Sequence, residues 1–398
     1  MTPQEKNILS VTCFGHFLSH FNVLAFPALV LPISQQLGLS LGEVLGLSFY
    51  QYLLFGVTAL PWGMAADRVG TRPLMYLFFI GAGLSSLGAA FSMDSPILLA
   101  VSLGGIGLFS GIYHPVALGL ISKGVRRIAM AMAYNGMFGM AGLAAAPLII
   151  GLVNWSWGPA GAYVVVFAFN ILGILLMLRL KLEKEHEVQS AGAQRPKTIQ
   201  PFLILLTAMM LGGVAYRGAT VILPTYFEIK GAGIYQLIAH VFSGSLSANL
   251  VATALASFIY LLGIVGQFAG GWVGERYEIR KSYLVFHALV IPPALLLALV
   301  ADLPMVLLSI LYFFFLLGMQ PIENTLVAAL TPPRFRHSAY GLKFILTFGV
   351  GALAVYMVGG IESAWGLQWV FPALGLVSVG IVISVLFLIR RSQPIPPA

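Results

Sequence analysis

Six ionisable side chains, His16, His20, His114, Arg217, Glu323 and Lys343, interrupt stretches of otherwise apolar sequence. A charge at the centre of a hydrocarbon layer costs at least about 2.5–3.5 kcal/mol, so such groups persist where a partner, a water-filled cavity or a ligand meets them. Each residue type suggests its own chemistry. The guanidinium of Arg217 matches a carboxylate, phosphate or phosphonate in a two-point fork; the other reading is an arginine that snorkels to cap one end of a helix. Glu323 beside a cation is an acid whose protonation a neighbour tunes, as proton coupling requires, and it also neutralises Lys343 as a structural pair. His16 and His20 stand one helical turn apart on one face, suited to a proton relay or to hydrogen-bonded packing. As metal ligands they need further donors, and no carboxylate on the same helix supplies one, so no metal centre and no cofactor are assigned.

The elements that position these groups are membrane helices. Hydrophobic residues make up 59% of the 398 residues and charged residues only 9%, with a mean hydropathy of +0.94, far from a soluble chain. A spanning helix needs about 20 mostly apolar residues. Such runs occur at roughly 8–33, 43–62, 73–92, 96–122, 128–153, 160–180, 201–227, 249–271, 282–301, 304–331, 338–361 and 366–389, twelve in all. The first is too long for a signal peptide and lacks a small-residue cleavage site after a short apolar core. The lone cysteine, Cys13, excludes an intrachain disulfide and a cysteine-based metal cage.

Charge orients the bundle. Of the 21 Lys and Arg, 18 lie in the N-terminus, alternate connections and the C-terminal tail, all on one side; Lys230 alone is opposite, and Arg217 and Lys343 fall inside apolar runs. The positive-inside rule places both termini in the cytoplasm, in a bacterial inner membrane. The net charge of +8 is thus a topology signal; scattered over short loops, it does not describe a nucleic-acid surface.

The chain is internally duplicated. Gly63-Met64-Ala65-Ala66-Asp67-Arg68-Val69-Gly70-Thr71-Arg72 recurs as Gly271-Trp272-Val273-Gly274-Glu275-Arg276-Tyr277-Glu278-Ile279-Arg280, at an offset of 208 residues. Pro115 and Pro321 stand 206 apart, each followed nineteen residues later by Ala-Tyr, at Ala133-Tyr134 and Ala339-Tyr340. Residues 1–180 and 201–398 therefore read as two six-helix bundles, joined by a polar, mixed-charge cytoplasmic linker at 181–200. Residues 231–247 carry Ile234, Leu237, Ile238, Val241 and Phe242 at helical spacing, as an interfacial helix or a plain outer loop.

With these motifs the chain resembles the major facilitator superfamily over essentially its whole length. The resemblance implies an all-α membrane protein of twelve helices in two pseudo-symmetric bundles, with runs 1, 4, 7 and 10 lining a central cavity and the bundles rocking to give alternating access. It also implies that Asp67, Arg68, Arg72, Glu275, Arg276 and Arg280 form a charge relay gating the cytoplasmic side. Gly105-Ile106-Gly107-Leu108-Phe109-Ser110-Gly111-Ile112-Tyr113-His114-Pro115 and Gly15-His16-Phe17-Leu18-Ser19-His20 look like segments of the fosmidomycin-resistance group. Val116 replaces the acid that group tends to carry after the proline. Drug/proton antiporters are less similar: their arginine is absent from Val101-Ser102-Leu103-Gly104, and Ala146 precedes Pro147 where they have glycine.

Depth can be counted at about 1.5 Å per residue from the cytoplasmic end of each run. His16 then lies roughly 15 Å in, His20 one turn higher, His114 and Glu323 roughly 13 Å, and Lys343 roughly 9 Å. Arg217 lies roughly 24 Å in, in the outer half, where water reaches it. Glu323 and Lys343 thus fall on adjoining runs about one turn apart, and Arg217 is the cation in excess. These residues describe a secondary active transporter of a small anionic organic solute, coupled to protons and working as a monomer in the lipid bilayer. Arg217, His16, His20, Tyr113, His114, Gln320 and Asn324 are its expected substrate contacts, with Glu323 and Lys343 the coupling pair. The alternatives are an efflux antiporter for an amphiphilic or phosphonate-type drug, and a non-transporting sensor or scaffold of the same fold. An enzyme is disfavoured, because no phosphate-binding loop, nucleophile elbow or metal triad motif is present in the sequence. His287, near the cytoplasmic end of run 9, reads as structural.

Overall fold

A computed structural model describes residues 1–180, 199–242, 245–331 and 336–395. The expected linker, apart from its last two residues, lies outside the described residues. The described residues are helical, and no strand occurs among them. We number the membrane spans in chain order and call the side carrying both termini the inner side. Span 1 is Pro3–Leu37, span 3 Thr71–Ala90, span 4 Pro96–Gly124, span 7 Gln200–Lys230 and span 8 Ala248–Arg276. Span 9 is Ile279–Leu299, span 10 Asp302–Leu330, span 11 Gly341–Trp365 and span 12 Leu367–Arg391. Span 2 is bent by 47° between Leu41–Val57 and Ala59–Val69.

Spans 5 and 6 form one run of helix, Ile128–Arg179, of 52 residues. That length corresponds to roughly 78 Å, more than twice a bilayer core. It is broken at Gly158, whose φ of 69° belongs to the left-handed region that glycine enters without a Cβ penalty. Residues 128–157 and 159–179 are therefore two spans, and the total is twelve.

Local chemistry marks the ends. Thr2 and Ser40 each accept from the backbone N–H three residues on, while Glu5 and Glu43 reach back to the cap N–H, closing capping boxes at the start of spans 1 and 2. Ser95 and Ser247 cap spans 4 and 8 in the same way without the reciprocal acid. Span 2 runs on to Val69, so the Asp67-Arg68 signature lies on its last turn and not in a loop. Gly70, with φ 84°, then turns the chain directly into Thr71. Glu275 and Arg276 likewise end span 8. The outer 231–247 segment contains a real helix, Ala232–Val241, whose Leu237 and Val241 are exposed.

Spans 1 to 6 pack among themselves, as do spans 7 to 12. The two sets meet along spans 5 and 8 and along spans 2 and 11. The hydrogen bonds that cross between sets are concentrated in the outer half. Asn249 Nδ2 donates to the Ala28 carbonyl at 3.1 Å, Asn154 Nδ2 to Asn249 Oδ1 at 3.0 Å, and the Leu148 N–H to Ser257 Oγ at 2.8 Å. Deeper in, Gly56 of span 2 abuts the backbone of Gly349, and Gly213 of span 7 that of Thr347. These contacts fall on a π-helical stretch, Ile345–Gly349, that interrupts span 11. Such bulges are frequent at functional sites. This one begins two residues after Lys343.

Candidate functional site

The ionisable groups assemble into two clusters, one on each half of the duplication. In the first, span 1 carries His16 and His20 one turn apart and span 4 supplies His114. Ring centroids are 5.0 Å apart for His16–His20, 5.1 Å for His16–His114 and 5.6 Å for His20–His114. One ring nitrogen from each lies within 4.8 Å of the others. Sequence depth places these residues in one band; the structure adds that they face one another.

Neighbours fix their orientation. His16 Nδ1 meets the Asn135 carbonyl at 2.8 Å; a carbonyl can only accept, so that nitrogen bears the proton and Nε2 keeps its lone pair. The ring lies flat against Gly139, where a Cβ would come within 2.6 Å of it. His114 is wrapped by Phe55, Phe344 and Phe348, is only 8% exposed, and its Nε2 has no hydrogen-bond partner. Tyr113, expected to touch substrate, is fully buried. Its hydroxyl donates to the Thr12 carbonyl and accepts from Asn135 Nδ2, both at 2.7 Å, and its ring stacks on His16. It staples spans 1, 4 and 5 and positions His16.

Arg217 of span 7 is 3% exposed. The expectation that it meets water does not hold in this conformation, because the side chain is buried against Tyr52. Its guanidinium lies over the Tyr52 ring of span 2 at 3.7 Å from the centroid and over Tyr216 at 5.9 Å. Nε has no hydrogen-bond partner, and among the described residues no carboxylate lies within ion-pair distance of it. Stacking on a desolvated aromatic face is worth about 2 kcal/mol. That offsets only part of the cost of burying a cation.

The second cluster joins spans 9, 10 and 11. Lys343 Nζ lies 2.7 Å from Glu323 Oε1 and donates to Asn324 Oδ1 at 2.6 Å. Tyr283 donates its hydroxyl to Glu323 Oε2 at 2.7 Å. Both carboxylate oxygens are thus engaged in a buried setting. His287 packs edge-on to Tyr283 in the same core. Gln320 is elsewhere: it accepts from Gln267 Nε2 at 2.8 Å, and that amide also meets Met140 Sδ of span 5 at 3.1 Å, so Gln320 joins a polar contact across the bundle interface. Asn135, Tyr283 and Gln267 were not singled out by sequence. Each is a lone polar residue within an apolar run, which is the signal that could have found them.

The residues expected to gate are spread over the inner side. Asp67 faces Lys123 of its own half at 3.7 Å, with the carboxylate 77% exposed. Arg72 lies near the Tyr76 ring and Arg276 over Trp272. Arg280 departs from the expected pattern. It is buried, pairs with Glu278 at 2.7 Å, and donates to the carbonyls of Ile389 and Ser392 at 3.2 and 2.6 Å. It clasps the end of span 12. Glu278 accepts the backbone N–H of Arg280, Lys281 and Ile395 as well. Partial burial pushes its carboxyl upward, but the hydrogen bonds from Arg280 and Ile395 and the Arg280 charge outweigh it, leaving it below the ordinary carboxylate range.

Twelve spans in two packed halves, with ionisable side chains buried inside them, have the architecture of a membrane transporter. The chain belongs to the major facilitator superfamily, whose family model matches residues 12–342. It is an integral membrane protein with that superfamily's transporter fold. No curated protein matches the sequence. Among solved structures, it is similar to a bacterial homologue of the human lysosomal transporter Spinster in an inward-facing, occupied conformation, with TM-score 0.77, 16% identity and 100% of each chain covered. A peptide transporter of the POT type in complex with sulfate gives TM-score 0.77 and 16% identity over 96% of this chain and 94% of that one. The nucleoside transporter NupG gives 0.75 and 15% over 96% and 100%. At these identities the likeness shows the fold alone.

Proposed function

We propose that the protein is a proton-coupled secondary transporter of a small organic anion. In this reading the bundles at 1–180 and 201–398 rock about a site between Arg217 and the three histidines. Both termini face the cytoplasm across a bacterial inner membrane, and a single chain suffices. The observation that carries it is Arg217: a buried guanidinium, stacked on Tyr52 of the opposite bundle and without a carboxylate partner among the described residues. A carboxylate or phosphoryl group entering from the cavity would complete its coordination through the fork it presents. His16, His20, His114 and Asn324 stand ready as further polar contacts. The Glu323–Lys343 pair supports proton coupling, because protonating the acid would release a buried cation and change the packing of spans 10 and 11. Asp67, Arg68, Arg72, Glu275 and Arg276 gate the inner side, while Arg280 anchors span 12 beside them.

The test is uptake into proteoliposomes of a panel of organic anions, with and without an imposed pH gradient, by the wild-type protein and by Arg217→Ala. Gradient-driven accumulation of an anion, abolished by the substitution, is the expected result. Accumulation of neutral or cationic solutes that is indifferent to Arg217→Ala overturns the reading.

A further inference from the structure

We infer that His16, His20 and His114 form a binding site for one divalent transition-metal ion of the zinc, cobalt or nickel kind. Among the described residues they are the one group of three side chains with ligand atoms this close, within 4.8 Å of one another. The sequence alone did not assign a metal, because a two-histidine turn falls short of a ligand set; the third imidazole arrives from span 4 through the tertiary fold. Three imidazole nitrogens with a fourth position left for water or a carried group is the donor set of open zinc sites. Nitrogen donors without a carboxylate disfavour magnesium and calcium, which take oxygen ligands.

Two features beyond proximity point to a ligand. His114 Nε2 is buried and has no hydrogen-bond partner, which leaves a lone pair or an N–H unsatisfied in a low-dielectric setting unless something meets it. His16 is held by an outer partner of the sort that orients metal-bound imidazoles, since the Asn135 carbonyl accepts from Nδ1 and presents Nε2 as the free donor. Two nitrogens about 2.1 Å from a tetrahedral ion stand about 3.4 Å apart, so ring nitrogens within 4.8 Å of one another need to close by at most about 1.4 Å. His16 and His20 are only partly buried, which leaves the rings within reach of an ion. The site stands on the three histidines alone; Arg217→Ala failing to impair anion transport would refute the preceding reading and leave this one untouched.

Full-length protein without a polyhistidine tag, purified in detergent and titrated with cobalt(II), provides the test. Visible ligand-field absorption saturating at one ion per chain, and displaced by zinc(II), is expected. His16→Gln and His114→Gln should each weaken binding beyond the roughly 10- to 100-fold that loss of an outer-shell partner costs. His287→Gln, a buried histidine in the other half, should leave the titration unchanged. Zinc should also raise the melting temperature of the wild type and not that of the His16→Gln/His20→Gln/His114→Gln triple variant. If His114→Gln does not fold, His20→Gln on a partly exposed ring gives the same reading. Absence of the cobalt band, or a band that survives His16→Gln and His20→Gln in folded protein, overturns the assignment.

Discussion

Glu323 and Lys343, on adjoining spans 10 and 11, approach to 2.7 Å in the core of the second half, and the other carboxylate oxygen is taken by the Tyr283 hydroxyl. Removing one member of a buried pair strands the other, at about 3–5 kcal/mol. Glu323→Gln alone should therefore lower thermal stability markedly, and Glu323→Gln with Lys343→Met should recover most of it. If Glu323 carries the coupling proton, the double variant still loses pH-driven accumulation while substrate counterflow survives. Recovered gradient-driven accumulation in the double variant would reduce the pair to a structural one.

That pair was legible in the sequence because depth along two neighbouring runs is enough to align an acid with a cation. Depth is not azimuth, however, and the first cluster shows the difference. Nothing in the sequence distinguishes Tyr113, whose hydroxyl is consumed between Thr12 and Asn135, from His114, whose Nε2 is left without a partner. Adjacent residues on a helix point about 100° apart, and only packing decides which one faces the cavity. Arg217 illustrates a second gap: its height above the inner end was countable, whereas its cover by Tyr52 depends on how the two halves close. The twelve spans and the duplication were readable because hydropathy and repeat spacing are local signals.

Arg217 supplies the second prediction. Arg217→Ala should weaken binding of the transported anion by about 1.5–3 kcal/mol, the range of a charge-assisted hydrogen bond. Arg217→Lys should restore only part, because an ammonium keeps the charge but loses the fork and the stacking on Tyr52. Equilibrium binding in detergent measures both. Equal affinity in wild type and Arg217→Ala would remove the residue from the substrate site.

The exposed Asp67 carboxylate, paired only loosely with Lys123 at 3.7 Å, contributes little to the present conformation. In the proposed reading its gating role belongs to the opposite conformation, where the inner ends would meet. Asp67→Asn should leave folding nearly unchanged and shift the population toward the inward-open form. Cysteine labelling of inner-half cavity positions should accordingly increase. Unchanged labelling together with unchanged transport would leave the motif with a topological role alone.

The clasp at the end of span 12 gives a pH dependence with a definite sign. Glu278 accepts Arg280 Nε at 2.7 Å and the backbone N–H of Ile395 at 3.3 Å, and its carboxyl is lowered from an ordinary value of 4.5. A carboxylate whose folded value is depressed contributes its stabilisation above the unfolded value and loses it as pH falls through the folded one. The clasp should thus hold fully above about pH 4.5 and loosen below that, as protonation removes the acceptor that fixes Arg280. Hydrogen exchange at the backbone amides near the end of span 12 and at Ile395 should accelerate on acidification beyond its intrinsic pH trend, relative to amides in the middle of span 12. Glu278→Gln should give the fast, loosened behaviour already at neutral pH and abolish the additional acid step. A wild-type protein whose tail exchanges no faster at low pH than the Glu278→Gln variant does at neutral pH, once intrinsic rates are removed, is expected. Retention of full protection below the folded value would show that Ile389, Ser392 and Arg280 hold the tail without the acid.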